Sequence, residues 1–409
     1  METSDTNIFH KLGSSSIIFG KREVLRASYC PKELPHRQEQ ITSLANTLMP
    51  ALQGDVPSNL LIFGKTGTGK TATVKMVTEQ LAEYTQTKGT RCTTCYINCE
   101  LIDTQYRVLA YIIHQFGKEV PITGWPTDQL YQELTTSLDS CKQTVIVILD
   151  EVDKLIKKSG DALLYNLTRI NQSLQQANVS IIGISNDLGF TEKLDARVRS
   201  SLGQDEVIFP PYNAAQLQDI LAERAGQGFL PGILEEGVVP LCAALGARDH
   251  GDARRALDLL RVAGEIAERA GVPRVGEAHV TDAYRKIERD RTVEAIRTLP
   301  VQHQLVLFCV ATMVSGNGQK LYTGTVYGFY QRLCRLIEME CLTDRRVSDI
   351  ISELDLLGLI SARLESRGRY GRSKEISMGH DSSRVRDVIL ENYRLGDLRG
   401  IQTPVQQRF

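Results

Sequence analysis

The sequence predicts a parallel α/β nucleotide-binding domain, a helical domain behind it, and a C-terminal domain made of a helix pair and a basic two-stranded ribbon. Three observations carry this. A glycine loop is set between an apolar strand and an amphipathic helix, a wholly apolar strand ends in two acidic residues, and after residue 211 alternating strands and helices give way to helices alone.

At 409 residues the chain exceeds the roughly 250–300 at which a single core stops growing, so two or three domains are expected. Its apolar share of 42% and charged share of 24% are those of an ordinary globular protein. No apolar run approaches the roughly 20 residues that span a bilayer. The opening stretch METSDTNIFHKLGSSS lacks a basic region followed by an apolar one, so the expected location is the cytosol. A net charge of -1 argues against a wholly basic nucleic-acid protein and leaves local patches to be read segment by segment. Nine scattered cysteines read as free thiols in a reducing compartment. Cys92, Cys95 and Cys99 form a cluster whose CxxC start is compatible with zinc. No second CxxC or His pair completes four ligands, however, and RCTTCYINCE reads better as a strand with small buried residues.

The segment SNLLIFGKTGTGKTATVKMVTEQLAE supplies the glycine loop. Gly64, Lys65, Thr66, Gly67, Thr68, Gly69, Lys70 and Thr71 fit G-x-x-x-x-G-K-[ST] in full, and Ala72 continues into the helix. Glycines let backbone N–H groups wrap phosphates, and the helix N-terminus adds partial positive charge. Lys70 is expected to reach the β and γ phosphates of ATP, and Thr71 to place its hydroxyl on Mg²⁺.

In TVIVILDEVDKL the apolar run Val145–Leu149 is expected of a strand covered by helices on both faces. Asp150 at its end is expected to hold the magnesium, and Glu151 to polarise a water for attack on the γ-phosphate. A third strand, NVSIIGISND, ends near Asn186, where open α/β sheets bind ligands and a polar side chain can orient that water.

In this order these motifs resemble an AAA+ ATPase module. Further segments narrow the resemblance: YCPKELPHRQEQI before the loop, GDARRALDLL from Gly251, and RVSDIISELDLLGLI followed by SRGRYGRSKEI. Over about residues 8 to 395 the chain resembles the archaeal replication initiators related to the origin recognition complex and its helicase-loading partner. The resemblance implies an ATP-hydrolysing switch that binds double-stranded origin DNA, assembles with other initiator copies and recruits the replicative minichromosome maintenance helicase, placing the protein at the nucleoid. A P-loop ATPase whose winged domain acts in transcription or defence is the alternative reading.

The resemblance also assigns residues. Tyr29, Pro35, His36, Arg37 and Tyr212 belong to the adenine and ribose side. Arg254 senses the γ-phosphate from the lid, with Arg255 facing solvent. Arg197 or Arg199, in KLDARVRSSLG, stands where an arginine finger completes a neighbour's site; Arg197 is favoured, although Ser200 and Ser201 replace the usual Ser-Arg.

The expected divisions are 1–211 for the P-loop domain, 212–295 for a helical lid, and 296–409 for the winged helix, the first marked by Pro210-Pro211. In the last, a recognition helix from about Thr343 to Leu357 precedes a ribbon. From Ser361 to Met378 five basic residues, Arg363, Arg367, Arg369, Arg372 and Lys374, face two acidic ones. Arg345, Arg346 and Ser348 are expected near the major groove, and Arg367, Gly368, Arg369, Tyr370, Arg372 and Lys374 at the minor groove. In INCELIDTQYRVLAYIIHQFG, Thr104, Tyr106 and Arg107 are candidates for a second DNA contact, whereas VLAYIIHQF also reads as an amphipathic helix packed on the sheet.

Overall fold

The structure, a computed structural model, describes residues 17–401 except 122, 204, 318–319 and 367–371. The chain divides into two units, residues 1–283 and 284–409. The helix Glu277–Thr298 (α11) crosses this division, and it also runs through position 295, where the sequence suggested a boundary.

The first unit is built on five parallel strands: β1 Leu60–Gly64, β2 Cys92–Asn98, β3 Gln143–Asp150, β4 Ala177–Ser185 and β5 Asp205–Phe209. Their order is β2-β3-β4-β1-β5. All residues of β1 and β3 are buried. Alternation along each strand divides their side chains between two cores. Leu61, Phe63, Val145, Val147 and Leu149 meet helices α3 Gln105–Gln115, α4 Thr127–Leu138, α5 Val152–Ser159, α6 Ala162–Arg169 and α7 Ala196–Leu202. Leu60, Ile62, Ile146 and Ile148 meet α1 Gln38–Leu48 and α2 Lys70–Lys88 on the other face. Because β4 lies between β1 and β3, the ends of all three strands deliver the glycine loop, Asp150 and Asn186 to one edge of the sheet.

The same alternation settles the cysteines. Cys95 and Cys99 are buried in one core while Cys92 packs toward the other, so the three cannot converge on a metal. Burial pushes the Cys95 thiol up to about 11, and burial with the charge of Asp150 takes Cys99 to about 12, keeping both protonated. Among the described residues no group of three or more His, Cys, Asp or Glu side chains is placed to hold a metal ion.

The lid helices α8 Ala214–Gly228, α9 Val238–Arg248 and α10 Ala253–Arg269 complete this unit. Asn213 and Gln216 form a capping box on α8, and Asp252 caps α10 through the Arg254 and Arg255 amides. The chain upstream of the P-loop does something the sequence did not disclose: residues 18–29 form a strap on the lid. Phe19 pairs with Phe229 as an isolated bridge with ring centroids 4.9 Å apart, and Gly20 N donates to Gly228 O at 2.9 Å. Arg22 pairs with Glu268. Leu25 and Phe19 press so closely on Gly228 and Gly264 that an added Cβ would stand 2.8 and 2.6 Å from them.

The second unit packs α12 Val301–Asn317, α13 Thr323–Leu336, α14 Asp344–Leu356 and α15 Ser382–Ile389 against an antiparallel sheet of β6 Leu321–Tyr322, β8 Arg372–Ser377 and β7 Ser361–Ser366. Leu305 to Ala311 are buried in succession, so α12 is the central helix of this core. Two helices followed by a ribbon is the expected winged-helix arrangement. No described helix is long and apolar enough to cross a membrane.

Gly264→Ala is expected to overpack the strap–lid junction and to destabilise the protein by about 1–3 kcal/mol. Chemical denaturation, which should show a lower midpoint at unchanged slope, checks this.

Candidate functional site

Gly67 and Gly69 have φ of 72° and 90°, conformations that side chains rarely adopt. A Cβ at Gly67 would lie 1.7 Å from Asp252, and one at Gly69 would lie 2.9 Å from the Tyr212 hydroxyl. The loop therefore turns tightly and accepts the lid against it: Ala253 N donates to Gly67 O at 3.2 Å. Thr68 Oγ1 closes the turn on Lys65 O at 2.8 Å.

Lys70 opens α2 and is buried. Its Nζ donates to Gly64 O at 2.7 Å, to Lys65 O at 2.8 Å and to Asn186 Oδ1 at 2.8 Å. Desolvation lowers its pKa to about 8, with Asp150 partly offsetting the loss and Arg254 adding to it. An ammonium held by neutral oxygens in a buried place is one that an incoming anion stabilises.

Asp150 is fixed by three donors. Thr71 Oγ1 and the Tyr96 hydroxyl reach its Oδ2 at 2.8 and 2.7 Å, and Glu151 N reaches Oδ1 at 3.0 Å. Glu151 has φ 56° as it caps α5, and its carboxyl is raised by desolvation and then by Glu100 and Asp150. Beside it Ser185 Oγ donates to the buried Asp153 at 3.1 Å. Asn186 is the first residue beyond β4. Thr66, Lys70, Thr71, Asp150, Glu151, Asn186 and Arg254 line one small cavity of about 20 Å³. The hydroxyl and carboxylate of Thr71 and Asp150 are hard oxygens side by side, a donor pair that fits a magnesium ion whose remaining ligands are phosphate and water.

A larger cleft of about 240 Å³ adjoins it, lined among others by Tyr29, Pro35, Ala72, Tyr212, Arg224 and Arg254. Its wall beside Tyr29 is part of the strap. Arg224, on lid helix α8, is buried and stacks on Tyr29 with its Cζ 4.5 Å from the ring centroid.

His36, Arg37 and Arg255 stand elsewhere than expected. His36 turns away from the cleft to Asp219, with Nε2 2.9 Å from Oδ2. Arg37 is not at the cleft surface either: it is 1% exposed, and its guanidinium is spent on backbone carbonyls. Arg255 does not face solvent freely but pairs with Asp249 at 3.0 Å. Arg197 is exposed and holds the carboxylate of Asp195, the cap of its own helix, at 3.0 Å; Arg199 is exposed on the same helix. Thr104 caps α3, the Tyr106 hydroxyl donates to Pro121 O at 2.8 Å, and Arg107 pairs with Asp103 at 3.5 Å. Helix α3 buries Val108, Leu109, Ile112 and Ile113 on the sheet while Arg107 stays exposed.

In the winged unit Arg345 and Arg346 lie exposed on the first turn of α14, whose cap is Thr343. Arg346 is tied to Glu353 at 3.0 Å, and Glu353 to His303 at 2.6 Å. Lys374 is turned inward, donating to Ser348 O at 3.2 Å and to Ser352, so it braces the ribbon on the helix and is not a free phosphate contact. Arg372 begins β8. Arg367, Gly368, Arg369 and Tyr370 lie outside the described residues.

Tyr96, Arg224 and Asp252 were missed in the sequence. Tyr96 needs the β2–β3 pairing to reach Asp150, and Arg224 needs the strap; neither pairing has a local signal.

Three family models match the chain: an AAA domain over residues 55–188, a Cdc6 AAA+ ATPase-type lid domain over 218–285, and the CDC6 C-terminal winged helix domain over 294–388. The chain is 53% identical to an ORC1-type DNA replication protein of Pyrococcus furiosus, with 98% of this chain and 96% of that one covered. It is 54% identical to ORC1-type DNA replication protein 1 of Methanosarcina acetivorans, with 97% and 96% covered. Among solved structures, the Aeropyrum pernix ORC1 protein in complex with DNA matches with a TM-score of 0.82 and 47% identity over 94% of this chain and all of that one.

Lys70→Met is expected to weaken ATP binding at least about a hundredfold without lowering the thermal midpoint of the nucleotide-free protein, because it removes a desolvated cation while conserving volume. Calorimetric titration with scanning calorimetry of the same samples checks both halves.

Proposed function

Because this chain belongs to the ORC1/Cdc6-type family of AAA+ replication initiators, we propose that it binds origin duplex DNA and uses ATP hydrolysis as a switch in recruiting or loading the replicative helicase. The observation that carries this reading is the convergence of Lys70, the Thr71–Asp150 pair, Glu151 and Arg254 on one edge of the sheet, in a chain that also has a winged-helix unit.

On this reading the loop amides and Lys70 take the phosphates, and Lys70 exchanges its carbonyl partners for phosphate oxygens. Thr71 and Asp150 would hold a magnesium ion, which would supply positive charge against the phosphates. Glu151, whose raised pKa makes it a stronger base than a solvated carboxylate, takes the proton of the attacking water. Asn186 holds both Lys70 and the water in register. Arg254 meets the γ-phosphate from the lid, so hydrolysis removes an interaction that holds the lid. Arg197 of a neighbouring copy supplies a finger once it releases Asp195, and its exposure suits that role.

We assign DNA binding to the winged unit, with Arg345 on the recognition helix and the arginine-rich ribbon at the duplex backbone; the division 1–211, 212–295 and 296–409 describes the three working parts, with the strap moving as part of the lid. The match to an ORC1 protein solved with DNA supports this assignment. Phosphate contacts of this kind release counterions, so affinity falls with salt.

Two experiments test the proposal. Glu151→Gln should bind ATP within about threefold of the parent and hydrolyse it about 10²–10⁴ times more slowly in single-turnover assays. Replacing Arg367, Arg369 and Arg372 by alanine should weaken duplex binding and reduce the slope of log affinity against log salt by about 0.9 for each phosphate that the ribbon no longer neutralises. Unchanged affinity and slope would remove the ribbon from the DNA interface.

A further inference from the structure

Among the described residues Arg37 is the most buried cation of the first unit, and its burial lowers its pKa. Its partners are carbonyls and rings. Nε donates to Thr68 O at 2.9 Å, Nη2 to Pro210 O at 2.6 Å and Nη1 to His36 O at 3.2 Å. The guanidinium carbon lies over Tyr212, with Cζ 3.7 Å from the ring centroid, and Phe209 is the next ring at 5.6 Å. Thr68 belongs to the phosphate loop, while Pro210 and Tyr212 form the passage from β5 into the lid.

From Tyr212 the connection continues. Tyr212 N donates to Gly251 O at 3.4 Å, and Gly251 has φ 68° with its absent Cβ only 2.4 Å from Tyr212 O. Gly251 leads into Asp252, which touches Gly67, and Ala253 N closes on Gly67 O. The phosphate loop, Arg37, the passage and the start of α10 thus form a closed ring of contacts in which Arg37 is the link between the loop and the passage. The lid on the far side of that ring carries the strap, and the strap with Arg224 makes the wall of the larger cleft.

We propose that Arg37 is a positioning residue that clamps the lid and its strap to the phosphate loop, holding the base wall at one nucleotide's length from the phosphate site. This rests on the reading of the cleft as an ATP site. The planar fork is the reason for arginine: it serves three carbonyls in different directions and stacks on a ring at once, which a lysine ammonium cannot do. A buried charge satisfied only by dipoles costs stability by itself, so its role lies in what it holds together. Without the clamp the phosphate half of the site keeps its amides and Lys70, while the base half, still joined to it through the contacts of Asp252 and Ala253 with Gly67, is held less tightly; a ligand that bridges both halves must then use binding energy to bring them into register.

The test compares ADP with inorganic pyrophosphate, both with magnesium, titrated calorimetrically into full-length parent, Arg37→Met and Arg37→Lys proteins of verified thermal unfolding. The expected result is a split: pyrophosphate affinity within about twofold of the parent, ADP affinity down about tenfold in Arg37→Met and at least about threefold in Arg37→Lys. Equal loss for both ligands would show that Arg37 acts only on the shape of the phosphate loop and would overturn the proposal, as would ADP binding unchanged in folded variants. Arg37→Lys retains the charge, so it keeps the test valid where Arg37→Met fails to fold. A parent protein that binds neither ligand would instead defeat the ATP reading itself.

Discussion

The Lys70 ammonium is held out of water at the ends of β1 and β4 by two loop carbonyls and the Asn186 side chain. Neutral oxygens do not repay the full desolvation of a cation, and its lowered pKa records the deficit. Much of the surrounding architecture follows from the need to keep that charge positioned and unneutralised. Wholly buried β1 and β3 supply the dry floor, the order β2-β3-β4-β1-β5 brings Asn186 beside the loop, and Tyr96 and Thr71 hold Asp150 by its Oδ2. Phosphate binding draws its strength from electrostatics already in place.

The second constraint is geometric. The phosphate loop is part of the sheet domain, yet the wall that faces the base is made by a strap and by Arg224, both anchored on lid helices. A nucleotide bound as proposed would therefore bridge two parts of the first unit. On the proposed reading, loss of the γ-phosphate would weaken the Arg254 side of that bridge, and the ring of contacts through Arg37 and Tyr212 would set how far the lid follows.

What could be read from the sequence followed from local periodicity and motif spacing. The strand–loop–helix around Gly64–Thr71, the apolar strand before Asp150, the winged-helix order of α13, α14 and the ribbon, and the family itself were all legible, since each is written in contiguous residues. The roles of His36 and Arg37 were misread because a basic residue near an adenine-side motif gives no sign of whether it faces the cleft or the backbone behind it. Lys374 was read as a DNA contact because charge along a ribbon can be counted, whereas its pairing with Ser348 depends on how β8 crosses α14. The strap was invisible for the same reason: Phe19 meets Phe229 across more than half of the unit's sequence, and no pattern near either residue announces the other.

The measurement that bears most directly on this account is amide hydrogen exchange of the full-length protein with and without magnesium and ADP. Binding that bridges the phosphate loop and the lid should slow exchange together at Gly67–Thr71, along the strap from Ile18 to Tyr29, and at the start of α10 from Asp252 to Leu257. Protection confined to the phosphate loop, with strap and lid exchanging as in the free protein, would contradict it.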